Sequence, residues 1–221
     1  MEPAVSFRSV VALLGGFPAL AGLDLRVGSG EAVLLRGPNG AGKSTVLRVC
    51  AGLVPVLQGE AVVLGVDVSR DRRAVRRRVA MLGHAGFMYD DLTVAENVNF
   101  AVAAAGGDKA GVPAALARMG LDGRLASTRV GALSAGQRRR AALAPLVARR
   151  AELWLLDEPH AALDEAGRDL VDDIVRDALG SGATVLMASH DTERATALAD
   201  RVCTVAGGIV TQSTEGPVRV P

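Results

Sequence analysis

The fold of this chain is decided by residues 31–51, which read EAVLLRGPNGAGKSTVLRVCA. The apolar run Glu31–Arg36 predicts a buried strand, and Lys43–Ala51 has the apolar spacing of a helix. Between them lies a glycine-rich turn that fits the pattern G-x-x-x-x-G-K-[ST], a motif that requires a strand before it and a helix after it. Its residues are Gly37, Pro38, Asn39, Gly40, Ala41, Gly42, Lys43, Ser44 and Thr45.

The chemistry of this turn is phosphate binding. Glycines let the backbone curl so that successive N–H groups face a phosphate, and the N-terminus of the following helix adds its positive dipole end. Lys43 can reach the β- and γ-phosphates of a nucleotide, and the hydroxyl of Ser44 can bind Mg²⁺. The alternative, an ordinary glycine-rich turn, does not explain why strand, motif and helix agree.

Length and composition bound the remaining possibilities. With 221 residues, a net charge of +1 and 49% hydrophobic residues, the chain suits one domain with a real core and is too apolar to be disordered. The balanced charge gives no reason to expect a nucleic-acid partner. No apolar stretch of about 20 residues is present to cross a membrane, and the N-terminus lacks the basic start of a signal peptide. We therefore expect a cytoplasmic protein that reaches a membrane only through a partner.

Strands and helical segments alternate along the chain, which predicts an α/β fold with a parallel sheet. The predicted strands are Val5–Val11, Leu20–Val27, Glu31–Arg36, Glu60–Val66, Val79–Leu82, Leu153–Leu156, Thr184–Ser189 and a pair around Val202–Val210. The predicted helices are Lys43–Ala51, Thr93–Ala105, Val112–Met119, Ala135–Arg149, Glu165–Leu179 and Thr192–Ala199. We expect one domain, residues 1–221, in which residues 1–83 and 150–212 form the core lobe, 84–149 a helical lobe and 213–221 a C-terminal tail.

A second chemical signal lies at the end of a buried strand. The apolar run Leu153–Leu156 is followed directly by Asp157 and Glu158. Adjacent carboxylates are expected at the end of such a strand where a cation or a water molecule needs them. Asp157 suits Mg²⁺, directly or through water, and Glu158 suits a general base that polarises an attacking water. The guanine-reading motif N-K-x-D is not in the sequence, so ATP is preferred over GTP.

Two shorter motifs complete a recognisable set. Ser134 is a good N-cap for the helix Ala135–Arg149, and Leu133–Gln137 reads LSAGQ. His190 follows the predicted strand Thr184–Ser189. Together with the glycine-rich loop and the strand ending in two acids, these motifs resemble the ATP-binding subunits of ABC transporters, in order and over nearly the whole chain. The resemblance implies a P-loop NTPase fold with a RecA-like core, an antiparallel β subdomain and an α-helical subdomain.

The same resemblance assigns roles to individual residues. In that family two nucleotide-binding domains close head to tail around two ATP molecules, so Ser134, Gly136 and Gln137 would contact the γ-phosphate of the ATP bound by a second copy. His190 matches the switch histidine that contacts the γ-phosphate. Asp164, in the run Ala161–Asp164, matches the loop that crosses the dimer interface. The resemblance thus implies ATP and Mg²⁺ as cofactors and a homodimer as the active form.

The chain departs from the family pattern at three positions. His84 stands where the family usually presents a glutamine that senses Mg²⁺ and the membrane partner. Leu14 occupies the position of the usual adenine-stacking aromatic, and Phe17 is the nearest aromatic residue, so the adenine contact stays open. Pro145 lies inside the helix after the signature, where it removes one backbone donor and is expected to kink the helix.

Two features of the sequence narrow the resemblance. The signature LSAGQ and the sequence Leu82-Gly83-His84 are similar to the ATP-binding subunit of the haem exporter that serves cytochrome c maturation. This implies an energy-coupling ATPase on the cytoplasmic face of the membrane, bound to a multi-spanning subunit, with haem handled by the complex and not by this chain. An ABC transporter for another substrate and a soluble ABC-type ATPase are the alternatives.

Overall fold

The computed structural model describes residues 2–83, 87–190 and 192–216, which form two sheets and six α-helices. The strands are β1 (Val5–Leu14), β2 (Phe17–Val27), β3 (Ala32–Arg36), β4 (Gln58–Val63), β5 (Val66–Asp67), β6 (Val79–Leu82), β7 (Leu153–Asp157), β8 (Thr184–Ala188), β9 (Arg201–Ala206) and β10 (Ile209–Glu215). The helices are α1 (Lys43–Cys50), α2 (Val94–Ala104), α3 (Val112–Arg118), α4 (Ala135–Arg149), α5 (Glu165–Gly180) and α6 (Thr192–Leu198).

The larger sheet has the strand order β10-β9-β3-β8-β7-β6. Its five strands from β9 to β6 pair in parallel, and β10 pairs antiparallel to β9 at one edge. Parallel strands end at the same edge of a sheet, where α/β proteins bind their ligands. The loops that follow β3, β7 and β8 are therefore brought together at this carboxyl edge.

Alternate side chains of the parallel strands enter two separate cores. Leu34 and Leu156 face a core shared with helices α2 to α6. Leu35 and Leu155 face a core shared with helix α1 and the smaller sheet. Because both faces are covered, these strands read as continuous apolar runs in the sequence.

The smaller sheet is antiparallel, with the order β2-β1-β4-β5, and its strand bounds differ from the sequence expectation. The expected single strand Glu60–Val66 is broken by a turn at Leu64 and Gly65, both with positive φ, after which β5 folds back on β4. Strand β2 begins at Phe17 and not at Leu20, because Gly15 and Gly16 alone make the turn. Pro18 is accommodated in β2 because this is an edge strand.

Helices α2, α3 and α4 lie between β6 and β7 in the sequence, and they pack against one another. Helix α2 begins with a capping box, in which the Thr93 side chain accepts from the Glu96 N–H and the Glu96 carboxylate accepts from the Thr93 N–H. Helix α4 is continuous from Ala135 to Arg149 through Pro145.

The last strand of the described chain differs from the sequence expectation. Strand β10 continues to Glu215, so residues 213–215 belong to the sheet and not to a separate tail. Cys50 and Cys203 are both buried and free, and burial raises the pKa of the Cys50 thiol. Within the described ranges, none of the helices combines the length and the apolar character needed to traverse a bilayer.

Candidate functional site

The glycine-rich loop, residues 37–45, runs from the end of β3 into α1. A Cβ atom on Gly37 would lie 2.0 Å from the carbonyl oxygen of Val205, and one on Gly42 would lie 2.6 Å from that of Ala19. Both glycines also have positive φ, 151° and 108°. Their backbones are thus packed directly against β9 and β2, and a side chain fits at neither position.

Lys43 occupies the centre of this loop. It is buried, and its ammonium donates hydrogen bonds to the carbonyl oxygens of Gly37 at 2.7 Å and Pro38 at 2.9 Å. Helix α1 begins at Lys43 after Gly42, and no side chain of the described residues caps it. The first turn also carries no acidic residue, so the N–H groups at this end are available to an anion. Ser44, half-buried, follows in the same turn.

The two carboxylates lie at the end of β7. Asp157 is the last residue of the strand and is 4% exposed. Glu158 follows with φ of 51°, and its N–H donates to the carbonyl of Ala188 at 2.8 Å. This left-handed backbone turns the chain sharply out of the sheet, which places the Glu158 side chain above the end of β8.

Glu158 and His190 are in direct contact. One carboxylate oxygen of Glu158, Oε2, accepts from the main-chain N–H of His190 at 3.0 Å and from the Ser189 hydroxyl at 3.4 Å. The other, Oε1, lies 3.5 Å from Nε2 of the His190 ring. The structure therefore brings together the predicted base and the predicted switch histidine.

Strand order explains why these groups meet the glycine-rich loop. Ala188, the last residue of β8, pairs with Leu35 of β3 on one side and with Asp157 of β7 on the other. The loop after β3, residues 189–190 after β8 and residues 157–158 after β7 consequently stand side by side. The lysine, the carboxylates and the histidine thus share one edge.

The signature residues form a separate, exposed surface at the start of α4. Ser134 is the N-cap, and its hydroxyl accepts from the Gln137 N–H at 3.2 Å while Gln137 Oε1 accepts from the Ser134 N–H at 3.0 Å. A Cβ on Gly136 would lie 3.2 Å from the Ala162 carbonyl oxygen. The signature therefore packs beside the loop 161–164 of its own chain, where Asp164 caps α5 through the Gly167 N–H.

Sequence reasoning missed one buried cation at this edge. Arg139 of α4 is 7% exposed, and it donates to the carbonyl oxygens of Gly83, Asp157, Glu158 and Pro159. Burial lowers the pKa of this guanidinium, while the negative charges of Asp157 and Glu158 act in the opposite direction.

A second missed cluster lies behind the carboxylates. His160 is 3% exposed, and its Nε2 lies 2.8 Å from Oδ1 of Asp172 on α5. Arg194 of α6 donates to the other oxygen of Asp172 at 2.6 Å. Burial acts to raise the pKa of Asp172, but hydrogen bonds from His160 and Arg194 outweigh it, so the pKa lies below its usual range. This cluster ties the chain just after Glu158 to the helices that follow.

The structure describes the predicted adenine side of the site but not the predicted sensor. The predicted sensor, His84, lies outside the described residues. On the adenine side, Phe17 is 78% exposed and Leu14 is 39% exposed. The carbonyl of Ala19, two residues after Phe17, is packed against Gly42. Phe17 therefore stands at the end of β2 that borders the glycine-rich loop.

A family model described as ABC transporter matches residues 20–161, which include the glycine-rich loop, the signature and both carboxylates. The chain belongs to the ABC transporter family. Among the relatives of this ABC chain is the cytochrome c biogenesis ATP-binding export protein CcmA of Bradyrhizobium diazoefficiens, 39% identical over 186 residues, which cover 84% of this chain and 91% of the relative. The protein of the same name from Xanthomonas campestris pv. campestris is 39% identical over 204 residues, which cover 92% of this chain and 94% of the relative.

A solved ABC structure has the same fold. It is a dimeric ATP-binding cassette in a post-hydrolysis state bound to ADP and Pi, with a TM-score of 0.87, 24% identity, and coverage of 96% of this chain and 98% of that one. The likeness confirms the ABC ATPase fold expected from the sequence, with its parallel and antiparallel sheets. As an ABC ATP-binding domain, this chain binds ATP.

Proposed function

We propose that this ABC chain is the ATP-hydrolysing subunit of a transport complex for c-type cytochrome biogenesis, with haem as the cargo of the complex. The observation that carries the ATPase assignment is the Glu158–His190 pair beside the glycine-rich loop. The identity to relatives named for cytochrome c biogenesis supports the biological role.

The glycine-rich loop binds the triphosphate. In the structure the Lys43 ammonium is satisfied by two carbonyls of its own loop. We propose that the β- and γ-phosphates take over these hydrogen bonds, since charged acceptors make stronger ones than neutral carbonyls. The uncapped N–H groups of α1 then contact the phosphates as well.

Mg²⁺ fits the oxygen groups on the two neighbouring loops. Ser44 offers a hydroxyl and Asp157 a buried carboxylate, and Mg²⁺ prefers oxygen ligands from few side chains together with phosphates. When bound, the ion neutralises charge that develops on the phosphates. Asp157 itself is kept in place by its position as the last paired residue of β7.

Glu158 acts as the general base. It takes a proton from a water molecule as the water oxygen attacks the γ-phosphorus, and the bond from that phosphorus to the β–γ bridging oxygen breaks, leaving ADP and phosphate. His190 presents its N–H to the Glu158 carboxylate and thereby orients it. We propose that the His190 ring, 55% exposed, turns to the γ-phosphate when ATP is bound.

The complete site is proposed to form between two copies of the chain. Ser134 and Gly136 lie on the surface beside the loop 161–164. A helix N-terminus favours an anion. The γ-phosphate held by a second copy supplies one, so hydrolysis would require the dimer.

The membrane partner is proposed to dock on the helical lobe. Phe87, Tyr89 and Phe100 are all more than half exposed, and the Tyr89 and Phe100 rings meet edge to face with centroids 5.5 Å apart. Exposed aromatic clusters are typical of protein interfaces. The surface adjoins Gly83, the last described residue before His84, which keeps the predicted sensor role.

Replacing Glu158 tests the ATPase assignment. Glu158→Gln should leave ATP binding intact and slow hydrolysis by about 100-fold or more, because a positioned general base contributes roughly 10²- to 10⁴-fold. An ATP-bound dimer should accumulate, as measured by size-exclusion chromatography with ATP. The matched control is Glu152→Gln, just before the other end of β7, where the carboxylate is exposed and paired with Arg78. Equal rates for the two variants would contradict the assignment.

The biological role is tested in cells. A strain that carries Glu158→Gln in this chain should lack holocytochromes c while still making their apoproteins and b-type haem proteins. Normal holocytochrome c in a strain whose protein has lost ATPase activity would exclude the cytochrome role. The ABC ATPase would then serve another substrate.

A further inference from the structure

The guanidinium of Arg139 joins three parts of the molecule. It lies on α4, five residues after the N-cap Ser134. Its Nη1 donates to the Gly83 carbonyl at 3.0 Å, and its Nη2 donates to the carbonyls of Asp157 at 2.5 Å and of Glu158. Its Nε lies 3.4 Å from the carbonyl of Pro159. One side chain thus binds the ends of β6 and β7 to the signature helix.

Three of these carbonyls lie where the sheet supplies no donor, although the Glu158 carbonyl also accepts from the Ala161 N–H at 3.1 Å. Gly83 and residues 158–159 lie beyond the last paired residues of β6 and β7, so the sheet does not satisfy them. A guanidinium has five donors in a rigid plane and serves several acceptors at once. Burying a cation is unfavourable, and here burial lowers its pKa. Packing alone would be better served by an apolar side chain.

The contact reaches the catalytic base through its backbone. Glu158 has a left-handed conformation that residues other than glycine rarely adopt. Its N–H donates to Ala188, and its carbonyl accepts from Arg139 and from the Ala161 N–H at 3.1 Å. Of these contacts, only the one to Arg139 connects Glu158 to α4, and together they fix the peptide units on both sides of its Cα. The direction of the Glu158 side chain depends on both.

We propose that Arg139 is a positioning residue for Glu158, acting on its backbone, and couples it to the signature of the same chain. Because α4 begins at Ser134, a shift of the signature toward a γ-phosphate held by a second copy is transmitted through Arg139 to the base. The proposal rests on the proposed ATPase function and adds a residue through which each chain's base responds to the nucleotide it contacts across the dimer.

Arg139→Lys is the primary test. Lysine is a compact charge with three donors and cannot span the carbonyls of both strand ends. We expect single-turnover hydrolysis per bound ATP to fall about 100-fold, the order expected for a misplaced catalytic group, with ATP affinity changed less than about threefold. The matched control is Arg140→Lys, the next residue, whose side chain donates to the Met119 carbonyl and should leave the rate unchanged.

A double-variant cycle separates positioning from general stability. In a Glu158→Gln background, Arg139→Lys should slow the residual hydrolysis less than about threefold, because the group it positions is gone. A further 100-fold loss there would show that Arg139 does not act through Glu158. Loss of ATP binding in both Arg139→Lys and Arg139→Gln would make it a residue of general stability and overturn the proposal.

The two proposals fail in different ways. If the unmodified dimer does not hydrolyse ATP, the proposed function is wrong. If it does, and Arg139→Lys is as fast as Arg140→Lys, only the role of Arg139 is wrong.

Discussion

Helices α1 and α4 both begin at a motif that the sequence predicts to contact phosphate, but their first turns are built in opposite ways. Helix α1 starts after Gly42 without a side-chain cap, and its first residue, Lys43, lies beside N–H groups that no described side chain caps. Helix α4 starts at Ser134 in a complete capping box with Gln137, so two of its donors are already satisfied. The start of α1 can therefore bind an anion without help from a second chain, whereas the start of α4 is stable without an anion.

This difference suits two separate roles, one for the start of α1 in binding and one for the start of α4 in recognition. An uncapped helix end gains free energy when an anion arrives, which favours tight binding by the single chain. A capped end gains less and is suited to recognise a phosphate that a second copy already holds. The box in α4 also uses the neutral Gln137, where α2 uses Glu96, so the box itself places no carboxylate at the start of α4.

The largest expected effect comes from breaking the α1 end. Lys43→Met removes two charge-assisted hydrogen bonds to the phosphates, each of about 1.5–3 kcal/mol, so ATP affinity should fall about 100-fold or more. Binding is measured by titration calorimetry on the isolated chain. Lys109→Met, which changes the only other lysine and lies on the surface, should bind ATP normally. Similar affinities for both variants would show that Lys43 does not bind the phosphates.

Breaking the α4 end should spare binding and reduce turnover. Ser134→Ala removes the cap, at a cost of about 1 kcal/mol in unfolding free energy, and one contact to the γ-phosphate, so kcat should fall about tenfold. Thr93→Ala breaks the equivalent box of α2 and should cost the same stability without the loss of kcat. Denaturant titration and steady-state ATPase assays separate the two effects.

A mixture of the two damaged proteins sharpens the same comparison. A dimer of one Lys43→Met chain and one Ser134→Ala chain has one site with both defects and one with none. Mixed dimers should therefore hydrolyse ATP faster than pure Lys43→Met dimers, which have no undamaged site. No recovery on mixing would argue that each chain uses its own signature.

The adenine side offers a smaller effect that is independent of phosphate. Phe17→Ala should weaken ATP and ADP equally, by about tenfold, because stacking of a base on an aromatic ring contributes roughly 1–3 kcal/mol. Leu14→Ala and the exposed Leu57→Ala serve as comparisons. A larger loss with Leu14→Ala would place the adenine on β1 instead.

The smallest effect concerns the response of the caps to acid. Hydrogen bonds from the Thr93 N–H and hydroxyl lower the pKa of Glu96. A carboxyl with a lowered folded-state pKa stabilises the protein above its unfolded value, about 4.3, and this stabilisation is lost as the pH falls through the lower value. Glu96→Gln should make the free energy of unfolding depend less on pH below about pH 4.3. Gln137→Ala should leave the pH dependence of the unfolding free energy unchanged. Parallel curves for wild type and Glu96→Gln would contradict this.

The sequence predicted the sheet strands that are covered on both faces, because continuous apolar runs such as Leu153–Leu156 leave little choice. It also predicted that the loops after β3, β7 and β8 meet at one edge, since the motifs stand at the ends of parallel strands. It did not predict the break at Leu64, because the run Glu60–Val66 satisfies strand propensity as well without it. A turn there depends on the pairing of β4 with β5, which is a tertiary contact.

Arg139 escaped prediction for a different reason. It is the middle one of three consecutive arginines, and residue type alone does not distinguish the buried one. Its spacing to the buried Leu143 and Leu146 places it on the inner face of α4, a signal that was available. The pair His160 and Asp172 carried no such signal, because a contact between a loop and a helix twelve positions later has no sequence period.

The close packing of the glycine-rich loop on the last strands has a consequence for biosynthesis. Gly37 lies against the backbone of Val205, β3 pairs with β9, and the Ala41 carbonyl accepts from the Gly208 N–H at 3.0 Å. The loop is synthesised early, but the backbone that supports it is synthesised some 170 residues later. Until residue 208 has been synthesised, a growing chain therefore lacks part of the backbone that supports this loop.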